Sequence, residues 1–317
     1  MFLFFVRHFN DIDHLTPVAW KMTKANHPVA VYCMNPRFDY PNDYRLRFLR
    51  DLGVPVDDLY RQADHRRGWL HGVLKSAMRR SFARQLEFGI NYQGFSFIKR
   101  LPGYLASQVG ILFYKLLRLG FYDIRWARSF LQTSGARAVL FDHVMPGLYV
   151  VESLLRAARE MSIPSFALPH GVHLYTNEAT KPKSTDARRT AKFNEFDFII
   201  VPNRLRKEIL VKSGVSEGKI FVLGSARYCH EWIVQNKKIM PRKISPTDRH
   251  SNRLKVVFLP SKPQCQVDLT RLRTTCDILA GLQHIDIRVK PHTRAGGEKH
   301  LFDGTGLVDA SHLLTAE

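Results

Sequence analysis

Apolar runs of four to seven residues recur along this chain, separated by segments with helical periodicity, and that alternation restricts the fold more than any other feature. The runs are "FLFFV" (2–6), "VAVYCM" (29–34), "AVLFD" (138–142), "SFALP" (165–169), "DFIIVP" (197–202), "IFVLG" (220–224), "KVVFLP" (255–260), "IDIRVK" (285–290) and "GLVDA" (306–310). Strands of this kind with helices between them form an open, mostly parallel sheet, so the expected class is α/β. With 317 residues, 45% of them hydrophobic, the chain can bury a substantial core, and its length points to two domains.

Two boundaries are signalled. Thr16-Pro17 reads as an N-cap followed by proline at the first helical position, which predicts a helix from Pro17 to about Ala25. The preceding "RHFNDIDHL" is then a loop at the carboxyl end of the first strand, where open α/β sheets bind ligands. The second boundary is "QNKKIMPRKISPTDRHSNR" (235–253), polar and basic with two prolines, which reads as an interdomain linker. It separates a Rossmann-like domain, 1–234, carrying a basic helical insertion at about 61–130, from residues 254–317. Those 64 residues suffice for a β-α-β unit and one more strand, so the second Rossmann-like domain is expected to be truncated and the chain to be a fragment of a longer protein.

Charge narrows the partners. The formal net charge is +20 and the pI about 10, which implies attraction to something polyanionic. Residues 61–130 hold 13 Lys/Arg against 3 Asp/Glu, interleaved with Trp69, Leu74, Met78, Phe82, Phe95, Phe97, Phe113 and Tyr114. Such a segment suits an anionic membrane surface, and equally a solvated basic helical face. Nucleic acid is not expected, because no helix-turn-helix, zinc-finger or RNP-like spacing occurs. The opening "MFLFFVRHFND" lacks a basic lead and a cleavage site, and "LPGYLASQVGILFY" (101–114) falls short of a spanning helix, so a cytoplasmic protein, peripheral on the inner face of the plasma membrane, is expected. Cys33, Cys229, Cys265 and Cys276 are scattered without a C-x-x-C pair, which fits a reducing compartment.

No P-loop, G-x-G-x-x-G or H-E-x-x-H is present, and no metal or cofactor is expected. What remains are polar clusters at strand ends. The first holds Arg7, His8, Asn10, Asp11, Asp13 and His14; the second, in "PHGVHLYTNE", holds His170, Gly171, Asn177 and Glu178; the third, in "RVKPHTR", holds Lys290, His292, Thr293 and Arg294. His170 precedes a glycine that lets the chain turn, leaving an imidazole that can take a proton from an acceptor hydroxyl or can cap a buried turn. Lys290, His292 and Arg294 alternate, so continued strand geometry places them on one side as a cationic patch suited to a diphosphate. His8, Asn10, Asp11, His14 and Glu178 are candidates for binding acceptor hydroxyls. "DHVMPG" (142–147) and "GSAR" (224–227) are weaker strand-end signals, the latter offering Ser225 and Arg227.

With these clusters in view the chain resembles the GT-B superfamily of nucleotide-sugar enzymes. The resemblance rests on "FDFIIVPNRLRKEILVKSGVSEGKIFVLGSARY" (196–228), the "HG" at 170–171 and the "KPH" at 290–292, and it is nearest to bacterial capsule and surface-polysaccharide glycosyltransferases and CDP-glycerol glycerophosphotransferase-like proteins. It implies two Rossmann-like domains, acceptor held by the first and nucleotide donor by the second. By position, His170 is the implied catalytic base and Lys290 with His292 the implied contacts to the donor phosphate, to which the residues themselves add Arg294, Ser225 and Arg227 as donor-phosphate candidates; a proline usual after the second-motif histidine is Thr293 here.

The expected activity is metal-independent transfer of a sugar or polyol phosphate from a nucleotide-activated donor, a nucleotide sugar or CDP-glycerol, to a glycan or lipid-linked acceptor. One rival is a non-hydrolysing nucleotide-sugar 2-epimerase, against which the loop "SKPQCQ" after the 255–260 strand counts. The other is a non-catalytic polyanion-binding protein.

Overall fold

The residues of the apolar runs pair in parallel. In the computed structural model, which describes residues 1–7, 9–35, 40–60, 68–91, 97–142, 150–169, 190–241, 254–259, 268–282, 284–289 and 308–309, seven strands form one sheet. These are β1 (Phe2–Val6), β2 (Val29–Cys33), β3 (Val56–Asp58), β4 (Ala138–Asp142), β5 (Ser165–Leu168), β6 (Phe198–Val201) and β7 (Ile220–Val222), in the order β3-β2-β1-β4-β5-β6-β7. Every pairing is parallel. From β1 the chain builds outward to β3, then crosses back to place β4 on the other side of β1. The β1/β4 boundary is therefore the topological switch point, where doubly wound sheets open a crevice at the carboxyl ends of their strands.

Alternation within β1 divides the core. Leu3 and Phe5 join one apolar cluster with Tyr32, Val139 and Phe141, and the Phe5 and Phe141 rings stack at 4.7 Å. Phe4 and Val6 join the other with Val31 and Leu140. Both faces are covered by helices, α1 (Phe9–Lys24), α2 (Tyr44–Asp51), α3 (Gly68–Asn91), α4 (Phe97–Phe121), α5 (Ile124–Thr133), α6 (Val151–Glu160), α7 (Arg204–Lys212) and α8 (His230–Ile239). The Phe4 side is sealed by Ile12 and Leu15 of α1, Leu46 and Leu49 of α2, and Trp232 of α8. The Phe5 side takes Met78 of α3, Leu117 of α4, Phe130 of α5, Leu154 of α6 and Leu210 of α7. The basic insertion is thus tied to the core, and buried phenols pin it: Tyr60 donates to the Met34 carbonyl at 2.8 Å, Tyr122 donates to the Tyr60 carbonyl at 3.2 Å, and His71 Nε2 lies 2.7 Å from the Tyr122 hydroxyl.

Each of the nine expected strands forms within two residues of its expected bounds. Two helix boundaries differ. The helix expected from Pro17 starts eight residues earlier, at Phe9, with Pro17 inside it. Proline has no N–H for the Asp13 carbonyl and costs about 3 kcal/mol inside a helix. Ile12, Leu15, Ala19 and Trp20, all buried, keep one apolar face running across it, and burying side chains of this size contributes about 1.5–3 kcal/mol each. "NDIDH" is therefore helix, not loop. Likewise α8 runs to Ile239, so residues 235–239 are helical rather than linker; Lys237 and Lys238 suit the negative end of its dipole.

The contacts divide the chain into two units, the first lying within Met1–Met240 and the second including Pro241–Glu317. The second contains a parallel three-stranded sheet, β8 (Leu254–Phe258), β9 (Ile285–Val289) and β10 (Val308–Asp309), ordered β10-β9-β8. Helix α9 (Leu269–Ala280) is capped by Asp268, which accepts from the Thr270 and Arg271 amides at 3.0 and 3.1 Å, and its Cys276 packs with Val289, Phe258 and Leu272.

Candidate active site

At the switch point of the seven-stranded sheet the first side chain past β1 is a buried arginine. Arg7 meets two carboxylates, Asp142 at the end of β4 and Asp11 in the first turn of α1. Asp11 accepts from the Arg7 backbone N–H and Nε–H, both at 2.8 Å, and from Nη2–H at 3.1 Å; Asp142 accepts from Nη2–H at 2.5 Å. Both carboxylates are fully buried. Charges this deep require close partners, because the attraction between them must offset several kcal/mol of desolvation per ion. Asp11 also stands where the positive end of the α1 dipole favours an anion.

A second network forms the neighbouring wall. Asp43 caps α2 by accepting from the Arg45 and Leu46 amides and holds the Arg45 guanidinium through Nε at 3.0 Å and Nη2 at 2.5 Å. Arg45 reaches on to Asp13 of α1, and Asp13 also pairs with Arg227 at 3.3 Å. Burial works against the Arg45 charge, but the hydrogen bonds it donates to Asp43 and the charges of Asp13 and Asp43 outweigh it and raise its pKa. Beyond β7, Gly224 adopts φ +83, a conformation that side chains disfavour, and the turn it allows brings Ser225 to α1. There the Ser225 hydroxyl lies 3.0 Å from His14 Nδ1.

No family model matches the sequence, and no curated protein matches it. Among solved structures, the UDP-GlcNAc 2-epimerase of Neisseria meningitidis bound to UDP-GlcNAc is similar over 98% of this chain and 72% of its own, with a TM-score of 0.50 at 12% identity. The S. aureus MnaA–UDP structure matches 97% of this chain and 68% of its own, with a TM-score of 0.51 at 10% identity. The UDP-GlcNAc 2-epimerase of Methanocaldococcus jannaschii matches 98% and 72%, with a TM-score of 0.50 at 12% identity. The fold is GT-B-like.

In this GT-B-like chain the expected site residues fall into three groups. Asp11 and His14, expected to bind an acceptor, are buried, at 0% and 2% exposure. The Asp11 oxygens bond to Arg7 and the His14 ring to Ser225, so these two serve as buried anchors of their neighbours rather than as exposed ligand groups. Asn10 is half-buried on the same turn. Ser225 and Arg227, expected at a donor phosphate apart from the acceptor group, are joined to it through His14 and Asp13. His8, His170, Glu178, Lys290, His292 and Arg294 lie outside the described residues. Sequence reasoning missed Asp43 and Arg45; an aspartate directly before the periodic "YRLRFL" was an N-cap signal that could have found them.

Proposed function

We propose that this chain is a nucleotide-sugar enzyme, specifically a metal-independent transferase moving a sugar or polyol phosphate from a nucleotide-activated donor to a surface glycan or lipid-linked acceptor at the cytoplasmic membrane face. The observation that carries the reading is the polar cluster at the β1/β4 switch point, where the order β3-β2-β1-β4-β5-β6-β7 gathers Arg7, Asp11, Asp13, His14, Asp142, Ser225 and Arg227 at the carboxyl edge of the sheet, the edge at which such folds bind ligands. Asp13 there orients Arg227 by an ion pair and His14 orients Ser225 by a hydrogen bond, and both groups suit a phosphate. His170, following β5 in sequence, is proposed as the base that takes the acceptor proton, and Lys290, His292 and Arg294, following β9, as cationic groups that stabilise the leaving phosphate. The likeness to proteins solved with UDP-GlcNAc and UDP supports the choice of a nucleotide donor.

The test is a thermal-shift titration of the full chain against UDP-, CDP-, GDP- and CMP-linked sugars and CDP-glycerol, with heparin as polyanion control. Stabilisation by one nucleotide class is expected; a response to heparin alone overturns the reading in favour of a polyanion binder. A 2-epimerase shares the fold and the donor, so acceptor-free incubation with UDP-GlcNAc separates the two: appearance of the C2 epimer refutes the transferase.

A further inference from the structure

Helix α4 is apolar on two opposite faces. One face is accounted for: Leu117 is buried, and Ile111, Phe113, Tyr114 and Phe121 pack against the core. The other carries Leu105, Val109, Leu112, Leu116 and Leu119, which are 53%, 44%, 55%, 46% and 71% exposed. Their spacing of four, three, four and three residues keeps all five on one side of the helix. At the Leu119 end, the His71 ring of α3 lies 5.2 Å from Phe121 and 2.7 Å from the Tyr122 hydroxyl. That contact brings the start of α3 alongside, with Trp69, Leu70 and Val73 at 79%, 48% and 50% exposure. Eight large apolar side chains on one helix pair mark an interaction surface rather than scattered exposure.

The charge around the stripe selects the partner. From Leu101 to Phe121 the only charged residues are Lys115 and Arg118, both cationic, and the surrounding segment 61–130 is basic by 13 to 3. No helix among the described residues is long and apolar enough to cross a membrane. We propose that the outer face of α4, with the start of α3, is a docking surface for an anionic lipid bilayer. The leucines enter the headgroup boundary, Lys115 beside them meets lipid phosphates, and Trp69 sits at the interface that tryptophan favours. A second copy of the chain fits less well, because each copy carries +20 and the two would repel. The inference deepens the transferase reading by naming the surface that holds the enzyme at its acceptor, and it rests on that reading for this purpose.

Tryptophan emission tests it in the unmodified chain. Of the four tryptophans, Trp20, Trp126 and Trp232 are buried and Trp69 is not. Vesicles of phosphatidylglycerol and phosphatidylcholine should co-sediment the protein and shift its emission to the blue; pure phosphatidylcholine should bind far less, and added salt should weaken binding. Trp69→Phe should abolish the shift while binding persists. The combined change Leu112→Ser, Leu116→Ser and Leu119→Ser should lower the partition coefficient on the order of 100-fold, since each leucine buries roughly half its side chain on docking. Equal binding to both vesicle types, or undiminished binding by the triple variant, overturns the proposal. So does a dimer seen by analytical ultracentrifugation that the triple variant dissolves, which would assign the stripe to a second copy. Vesicle binding without response to any nucleotide sinks the transferase reading and supports the docking surface.

Discussion

Replacing Arg7 with methionine should be among the most damaging single changes in the seven-stranded unit. The side chain is 11% exposed and makes three charge-assisted hydrogen bonds, two to Asp11 and one to Asp142, both carboxylates being fully buried. Methionine fills similar space but leaves two buried carboxylates facing each other without the intervening cation, and breaking such a cluster by removing one member costs about 3–5 kcal/mol. That is a large share of the roughly 5–15 kcal/mol that holds a domain folded. The triple change Arg7→Met, Asp11→Asn and Asp142→Asn removes all three charges at nearly constant volume, and the side-chain amide oxygen then present at position 11 can still accept the backbone N–H of position 7. It should recover all but about 1–2 kcal/mol, because a buried ion cluster replaced as a whole is close to neutral. Urea unfolding at pH 7, followed by fluorescence in a Trp69→Phe background, reports on Trp20, Trp126 and Trp232 of this unit alone. A loss below about 1 kcal/mol for Arg7→Met, or additivity of the single changes in the triple variant, refutes the view that the three groups act as one.

Three further outcomes are expected. His170→Ala should lower transfer by about 100- to 10,000-fold while leaving donor-induced thermal stabilisation intact, and retained turnover in a radiolabelled-donor assay refutes its role as base. Asp43→Ala removes both the α2 cap and the partner of the Arg45 guanidinium, and urea unfolding should show a loss of about 2–4 kcal/mol; a loss below about 1 kcal/mol refutes this account of α2. Burial, then the charge of Asp58, pushes Tyr40 up to about 12, so its phenol stays protonated in the folded chain after the unfolded chain has begun to ionise near 10. Stability should be intact below pH 10 and fall as pH rises through 12, and Tyr40→Phe should flatten that slope in pH-dependent urea midpoints; an unchanged slope refutes it.

β1, β2 and β4 were the most legible strands because each is a nearly continuous apolar run, and continuous burial on two faces leaves little room for polar residues. β3 was missed for the converse reason: "VDD", paired with β2 at the sheet edge, has one apolar residue in three and so carries no apolar run. The start of α1 was misplaced because Pro17 was weighed as a boundary, whereas Ile12 and Leu15 continue the buried face through it. Within the crevice, residue types at strand ends were visible, but their pairing was not. His14 and Ser225 are 211 positions apart, and only the parallel order of the sheet brings β7 round to the helix that follows β1. Asp11 shows the limit of reading chemistry from residue type: a carboxylate near a ligand crevice serves equally as a ligand group or as the buried anchor of a neighbouring arginine.

Arg227 is where anchoring and ligand binding meet. Asp13 is shared between Arg45, which is buried and held by Asp43, and Arg227, whose side chain is 35% exposed and 3.3 Å away. A phosphate arriving at Arg227 competes with Asp13, yet the exchange leaves no charge stranded, since Asp13 keeps Arg45 and Arg227 gains the phosphate. Asp13 therefore acts as a placeholder that aims the guanidinium and yields it. Asp13→Asn keeps the shape and removes the competing charge, and for a pair this exposed the gain should be about 0.5–1 kcal/mol, or roughly two- to fivefold tighter nucleotide binding at low salt. The gain should shrink as salt rises, because the repulsion it relieves is screened. Isothermal titration of the full chain with the nucleotide identified by thermal shift measures this directly. Unchanged or weaker binding by Asp13→Asn at low salt means that Arg227 is a structural partner of α1 and that the phosphate is held elsewhere.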